Sequence, residues 1–181
     1  MQTLVVRRAR RNELEPIRQI YNEGIEDRLA TLDRDPKSLD EMSDWWARHD
    51  ERYVVLVAVD RGEVAGWAAL NRFSERCAHA DIADLSVYVR RSHRGQGAGR
   101  ALVTALVEHA RESRFHKIVL HALNANEFGK RLYRRSGFRE VGVFEEHGTI
   151  EGRYVDVVVM ERLLQGRSPE ANLGRAGFEP A

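Results

Sequence analysis

A single cysteine, Cys77, in 181 residues excludes a disulfide within the chain and fits a reducing compartment. No apolar run approaches the ~18 residues of a membrane span, and the N-terminus lacks the apolar stretch of a signal peptide, so a cytoplasmic location is expected. Net charge is nearly absent: 29 Lys and Arg face 28 Asp and Glu, which leaves no global field for nucleic acid. The basic cluster Arg7, Arg8, Arg10 and Arg11 straddles a short apolar strand and a helix start, which suits a solvated edge better than a nucleic-acid arm. His79, His121 and His147 have no ligand spacing, so no metal is expected. What is present is ordinary globular composition, 43% apolar and 31% charged, in a chain long enough for one core and short for two. One domain is expected over residues 1–164. The tail 165–181 scatters Gly, Pro and Ser without a periodic face and is expected to be disordered.

Periodicity orders the elements. Leu4 to Val6 reads as a strand, and Asn12 with Glu15 three residues later reads as a helix cap opening a helix to about Tyr21. Asn22 to Lys37 has no sustained period and is expected to be a loop or broken helix near a site. Ser38 and Glu41 form a second capping box before Trp45 and Trp46. Tyr53 to Val59 and Val64 to Leu70 flank Asp60-Arg61-Gly62 as a hairpin. Ile82 to Val89 alternates as a strand, Gly97 to Arg114 repeats at helical spacing, Lys117 to Ala122 is a strand, and Glu127 to Arg135 is a helix stopped by Gly137. Phe138 to Glu145 with Tyr154 to Glu161 closes the domain as a hairpin. The fold class is therefore α/β (α+β): one mixed, mostly antiparallel sheet of about seven strands flanked by helices.

The most informative segment is Arg94-Gly95-Gln96-Gly97-Ala98-Gly99-Arg100, between a strand and a helix start. A helix N-terminus offers unpaired amides and a partial positive charge, and glycines admit a phosphate to them. Arg94 and Arg100 could add charge-assisted bonds. A plain glycine turn is one alternative. The dinucleotide fingerprint does not fit, because this is G-x-G-x-G after several strands, and a Walker loop lacks its Lys and Ser or Thr. A different pyrophosphate-bearing cofactor is left.

The segment Arg94 to Gly99 resembles the Q/R-x-x-G-x-G/A motif of the GNAT superfamily of N-acetyltransferases, and Asn126, Leu132, Tyr133, Gly137 and Phe138 resemble its second cofactor signature. The resemblance covers roughly Leu4 to Leu164. Tyr21 to Arg28, Ser86 to Val89, His147-Gly148 and Arg153 to Val157 are most similar to the phosphinothricin and arsinothricin N-acetyltransferase branch. It implies the GNAT fold, acetyl-CoA as co-substrate, a homodimer, and acetylation of a small amino acid of the phosphinothricin, arsinothricin or methionine sulfoximine kind, a detoxifying or resistance activity.

The resemblance also assigns roles. Ser86, Val87, Tyr88, Val89, Arg94, Gly95, Gln96, Gly97, Ala98, Gly99, Arg100, Asn126 and Tyr133 would line the cofactor. Asp84 stands where that branch carries a Glu as base, one methylene short, which favours a bridging water; Glu26 and Asp27 are further candidates. Tyr88 or Val89 would supply the oxyanion amide, and Tyr133 the acid for the leaving thiolate. Arg76, Arg28 and Arg72, with Glu26, are candidates for the acceptor site. Two other readings are open: acetylation of a protein N-terminus or lysine, and a non-catalytic acyl-CoA-binding module. Trp45, Trp46, Phe73 and Tyr21 hint at an enclosed pocket, and the adjacent Trp45 and Trp46 at a partner surface as well.

Overall fold

The structure is a computed structural model and describes residues 4–164; the expected disorder of the tail falls outside that range. Seven strands, β1 (Val5–Arg8), β2 (Val55–Asp60), β3 (Glu63–Arg72), β4 (Ile82–Val89), β5 (Lys117–Leu123), β6 (Arg139–Ile150) and β7 (Arg153–Leu163), form one sheet in the order β1-β2-β3-β4-β5-β7-β6. All neighbours are antiparallel except β4 and β5. Helices α1 (Leu14–Glu26) and α2 (Leu39–Trp46) cover one face, and α3 (Ala98–Glu112) and α4 (Glu127–Arg135) the other.

Period-two alternation divides the apolar residues between the two faces. Leu56, Ala58, Ala68 and Leu70 turn toward α3, where Leu102, Val103 and Leu106 meet them, while Val55, Val57, Trp67 and Ala69 turn toward Ile17, Ile20 and Met42. β3 is buried on both sides for most of its length, which makes it the spine of the domain. At about 1.5–3 kcal/mol for each large side chain fully buried, these two cores carry the stability.

Local chemistry explains the ends. Ser38 accepts from the Glu41 amide and Glu41 reaches back to the Ser38 amide, the reciprocal cap of α2. The β2–β3 turn has Arg61 at φ 49° and Gly62 at φ 88°, and the β6–β7 turn has Glu151 at 49° and Gly152 at 77°. Both central residues being positive in each case suits the strand twist of a two-residue hairpin.

Three expectations are corrected. The first cap is not Asn12: Glu13 bonds the Arg10 amide and Arg7, forming a short turn before α1. α1 continues past Tyr21 to Glu26, because Asn22 is buried and exchanges hydrogen bonds with the Lys37 backbone instead of ending the helix. The closing hairpin is longer than its apolar core, since two register shifts let β6 continue to Ile150.

Candidate active site

The one parallel pairing opens the sheet. β4 and β5 are bonded only at Ile82↔Lys117, Ala83↔Ile118 and Asp84↔Val119. Beyond Asp84, β4 follows β3 to Val89 and β5 follows β7 to Leu123, so the strands part and leave a cleft between them. The Arg90 amide donates to Ala65 on β3, and the alternation of an antiparallel ladder then directs the amides of Tyr88 and Ser86 to β3 and those of Val87 and Val89 into the cleft. Of Tyr88 and Val89, it is Val89 whose N–H faces the opening.

The glycine loop lies at the far end of that cleft. Gly95 and Gly97 have φ of 75° and 93°, and a Cβ at either would meet nothing within 4 Å, so the space over the loop is open. Gly97 caps α3, and among the described residues no protein group accepts from the amides of Gly95 to Arg100. This is an anion cradle with its donors free, and it fits a pyrophosphate. Gly99 serves packing: its Cβ would lie 3.2 Å from Leu132 Cδ2. The side chains around the loop are partly committed. Gln96 donates to the Ser92 carbonyl at 2.7 Å, and Arg94 donates through Nε to the Val89 carbonyl at 3.1 Å and pairs with Asp27 at 2.6 Å. Arg100 is exposed and has no ion pair among the described residues.

Glu26 and Asp27, the further candidates for the base, are both engaged in ion pairs. Arg91 holds both at 2.8 Å. Burial pushes the Asp27 carboxyl up, but Arg91 and Arg94 outweigh it and the net shift is down, so the group anchors the loop to the end of α1.

The residues between α1 and α2 form a roof over the α1 face of the sheet. Gly24 lets the Tyr88 ring approach, since a Cβ there would sit 2.9 Å from Tyr88 Cδ1, and Leu32 packs on Gly148 of β6, where a Cβ would come within 2.5 Å. Under the roof is a cavity of about 340 Å³ walled by Tyr21, Trp45, Trp67 and Tyr88 and reaching Ser86 on β4. Trp67 stacks on Tyr88 at 4.9 Å, and Tyr21 meets Tyr88 edge-on at 4.7 Å. Burial, followed by the bond to Asp33, pushes the Tyr21 phenol up to about 12. Charges of both signs reach the same space, Asp33, Glu41 and Asp44 against Lys37 and Arg48. Trp67 is 2% exposed and its Nε1 has no hydrogen-bond partner among the described residues. A second cavity of about 340 Å³ lies at the C-terminal end of β5 and includes Arg28, Asn124 and Tyr154.

Asp84 stands where the strands separate, on the same face as Ser86 and Tyr88. His121 of β5 approaches it, Nδ1 to Oδ1 at 3.5 Å. The sequence offered no reason to connect those two residues. From the α4 side comes Tyr133, 8% exposed, whose phenol burial pushes well up, with the Asp84 charge adding to it. Asn126 caps α4 by accepting from the Gly129 amide at 2.9 Å.

The arginine candidates separate. Arg28 lines the second cavity and donates to the Arg34 carbonyl. Arg72 pairs with Ala83, so it points to the α3 face, and its guanidinium covers the Tyr53 ring at 4.6 Å. Strand alternation thus places Arg72 on the wrong side of the sheet for the cavity under the roof. Arg76 is exposed in the β3–β4 connection, caps the Cys77–His79 turn, and lines neither cavity.

Comparisons with known proteins agree with this architecture. The model of the Acetyltransferase (GNAT) family matches residues 14–138. An L-methionine sulfoximine/L-methionine sulfone acetyltransferase of Pseudomonas paraeruginosa is 33% identical over 82% of this chain and 88% of its own. Among solved structures, a GNAT superfamily phosphinothricin acetyltransferase from Sinorhizobium meliloti, in complex with AcCoA, is 30% identical with a TM-score of 0.86, covering 90% of this chain and 89% of that one. A ribosomal-protein-alanine N-acetyltransferase from Brucella melitensis is 32% identical with a TM-score of 0.86, covering 89% and 100%. With a parted parallel pair, a glycine cradle at a helix start and the family match spanning both, the chain belongs to the GNAT family of acetyltransferases.

Proposed function

We propose that the protein moves the acetyl group of acetyl-CoA to the amino group of a small polar amino acid of the phosphinothricin or methionine sulfoximine kind. The observation that carries this is the roofed cavity: about 340 Å³ is at the small end for a ligand site, and it has aromatic walls with both carboxylates and cations, as a zwitterion requires. A protein N-terminus or lysine would need an open groove. The Brucella relative keeps that second reading in view, and a non-catalytic acyl-CoA binder would need neither Asp84 nor Tyr133.

Acetyl-CoA supplies an activated acyl thioester. The amides of Gly95 to Arg100 would hold its pyrophosphate, while Val87 and Val89, flanked by Ser86 and Tyr88, would hold its arm in the cleft, with Asn126 at the α4 side. The Val89 amide would face the developing oxyanion. Asp84, at the fork, serves the proton that the attacking ammonium must lose, and Tyr133 serves the departing sulfur.

A thiol-release assay over amino acids, including phosphinothricin and methionine sulfone, alongside an N-terminal alanine peptide and a lysine peptide, tests the reading. Turnover of the small amino acids well above the peptides is expected; peptide preference would replace it with the second reading, and no thiol release at all with the third.

The protein is further proposed to act in the cytoplasm, as the exposed lone thiol of Cys77 suits, and to be a homodimer. The tryptophans do not support the dimer, because Trp45 packs against Trp67 and His49 inside the subunit. The support is β6, an edge strand that leaves Val141, Val143 and Phe144 about half exposed. Light scattering at micromolar concentration should give twice the chain mass of 20.8 kDa, and a monomer mass would discard the dimer.

A further inference from the structure

Asp84 is a short side chain set back at the fork of the sheet, with 28% of its surface exposed, and the residue that extends its reach is His121. We propose that His121 takes the proton from the acceptor's ammonium and that Asp84 positions it and balances the resulting imidazolium. The inference rests on the acetyl-transfer reading of the same cleft.

Register supplies the first argument. In the parallel pair Asp84 stands beside Val119, and side chains two residues apart on a strand share a face, so His121 projects on the face that Asp84 and Ser86 occupy. Distance supplies the second: Nδ1 lies 3.5 Å from Asp84 Oδ1, while Nε2 bonds no protein group among the described residues. Exposure supplies the third, since the imidazole is 43% exposed and so stands farther out than the carboxylate behind it. An orienting carboxylate on one ring nitrogen and a free second nitrogen is the arrangement of a positioned base.

The neighbours leave no better proton acceptor. Glu161 of β7, opposite Val119, is held by Lys117 at 3.0 Å and by Arg139, and Val159 stands directly opposite His121. Asn71, opposite Asp84 on β3, donates to Ser86 and meets His49, whose imidazole burial pulls below its ordinary range. Tyr133 approaches from the α4 side with its phenol protonated.

The step balances without any further reactant. The ammonium N–H bond breaks and its proton goes to His121 Nε2. The freed lone pair forms the N–C bond at the thioester carbonyl, the C–S bond breaks with its electron pair leaving on sulfur, and the second N–H proton ends on the thiol. The imidazolium then returns its proton to solvent, so each turnover releases one proton.

The test compares the unmodified enzyme with His121→Gln, His121→Ala and Asp84→Asn, using whichever amine of the panel is turned over fastest, so a failure of the small-amino-acid reading does not disturb it. His121→Gln should lower kcat about 100-fold or more with the acetyl-CoA KM within about twofold, and the acid limb of the pH–rate profile should disappear. Added imidazole should restore part of the activity of His121→Ala. Because the pair acts as a unit, His121→Gln with Asp84→Asn should be scarcely worse than His121→Gln alone. The proposal is overturned if His121→Gln keeps kcat within about twofold with its pH profile intact, which would leave Asp84 or a water as base. It is equally overturned if the loss in His121→Ala is untouched by imidazole and falls on the acetyl-CoA KM, which would make the residue structural.

Discussion

Gly97→Val is expected to raise the KM for acetyl-CoA about 100-fold, equivalent to about 2.7 kcal/mol of lost binding. Gly97 caps α3 at φ 93°, where a branched side chain is strained, and the space a Cβ would enter is empty of protein. The fold therefore has room for a side chain there, at a cost in backbone strain alone; the cradle has none, because the side chain would stand where a phosphate must approach the amides of Gly95 to Arg100. Gly99 is a poorer probe, since its Cβ would press on Leu132 and mix packing with binding. The control is Gly62→Val in the β2–β3 turn, which has a similar φ of 88° and equally empty surroundings. Both variants should lose similar stability, and only Gly97→Val should lose the cofactor. A folded Gly97→Val enzyme with an unchanged KM would remove the phosphate role from the loop.

The cradle was legible because its signal is local: a strand end, glycines and a helix start follow one another in the chain. The Ser38–Glu41 cap and the Arg61-Gly62 turn were legible for the same reason, each being complete within four residues. What the sequence hid is what depends on register. Arg72 and Arg76 look like neighbours for one anion, yet alternation on β3 sends Arg72 to Tyr53 on the far face. His121 and Asp84 are far apart in the chain, and only the three-pair contact of β4 with β5 brings them to one side of the fork. Glu26 and Asp27 carried the right chemistry for a base, but the loop arginines that claim them fold back from a later segment. The last turn of α1 has no apolar period to mark it because Asn22 is held by the Lys37 backbone fifteen residues on, and Gly24 is bare to let Tyr88 close on the helix.

Tyr133→Phe should lower kcat about tenfold or more, about 1.4 kcal/mol at the transition state, with little change in the acetyl-CoA KM. Burial, reinforced by the charge of Asp84, pushes the phenol upward, so at any working pH it holds its proton and can act only as a donor. A donor that weak in acid strength serves the leaving sulfur mainly by a hydrogen bond that tightens as thiolate charge develops, a contact absent from the ground state and therefore felt in kcat. The substitution also separates chemistry from packing. The ring meets Phe138 edge-on at 6.0 Å and belongs to the α3-side core, and phenylalanine keeps both contacts. The hydroxyl bonds no protein group among the described residues, so its removal strands no partner and the melting temperature should hold. Single-turnover thiol release is the measurement, because it isolates the chemical step from product departure. Equal rates in the two enzymes would confine Tyr133 to the core and leave solvent to protonate the thiolate.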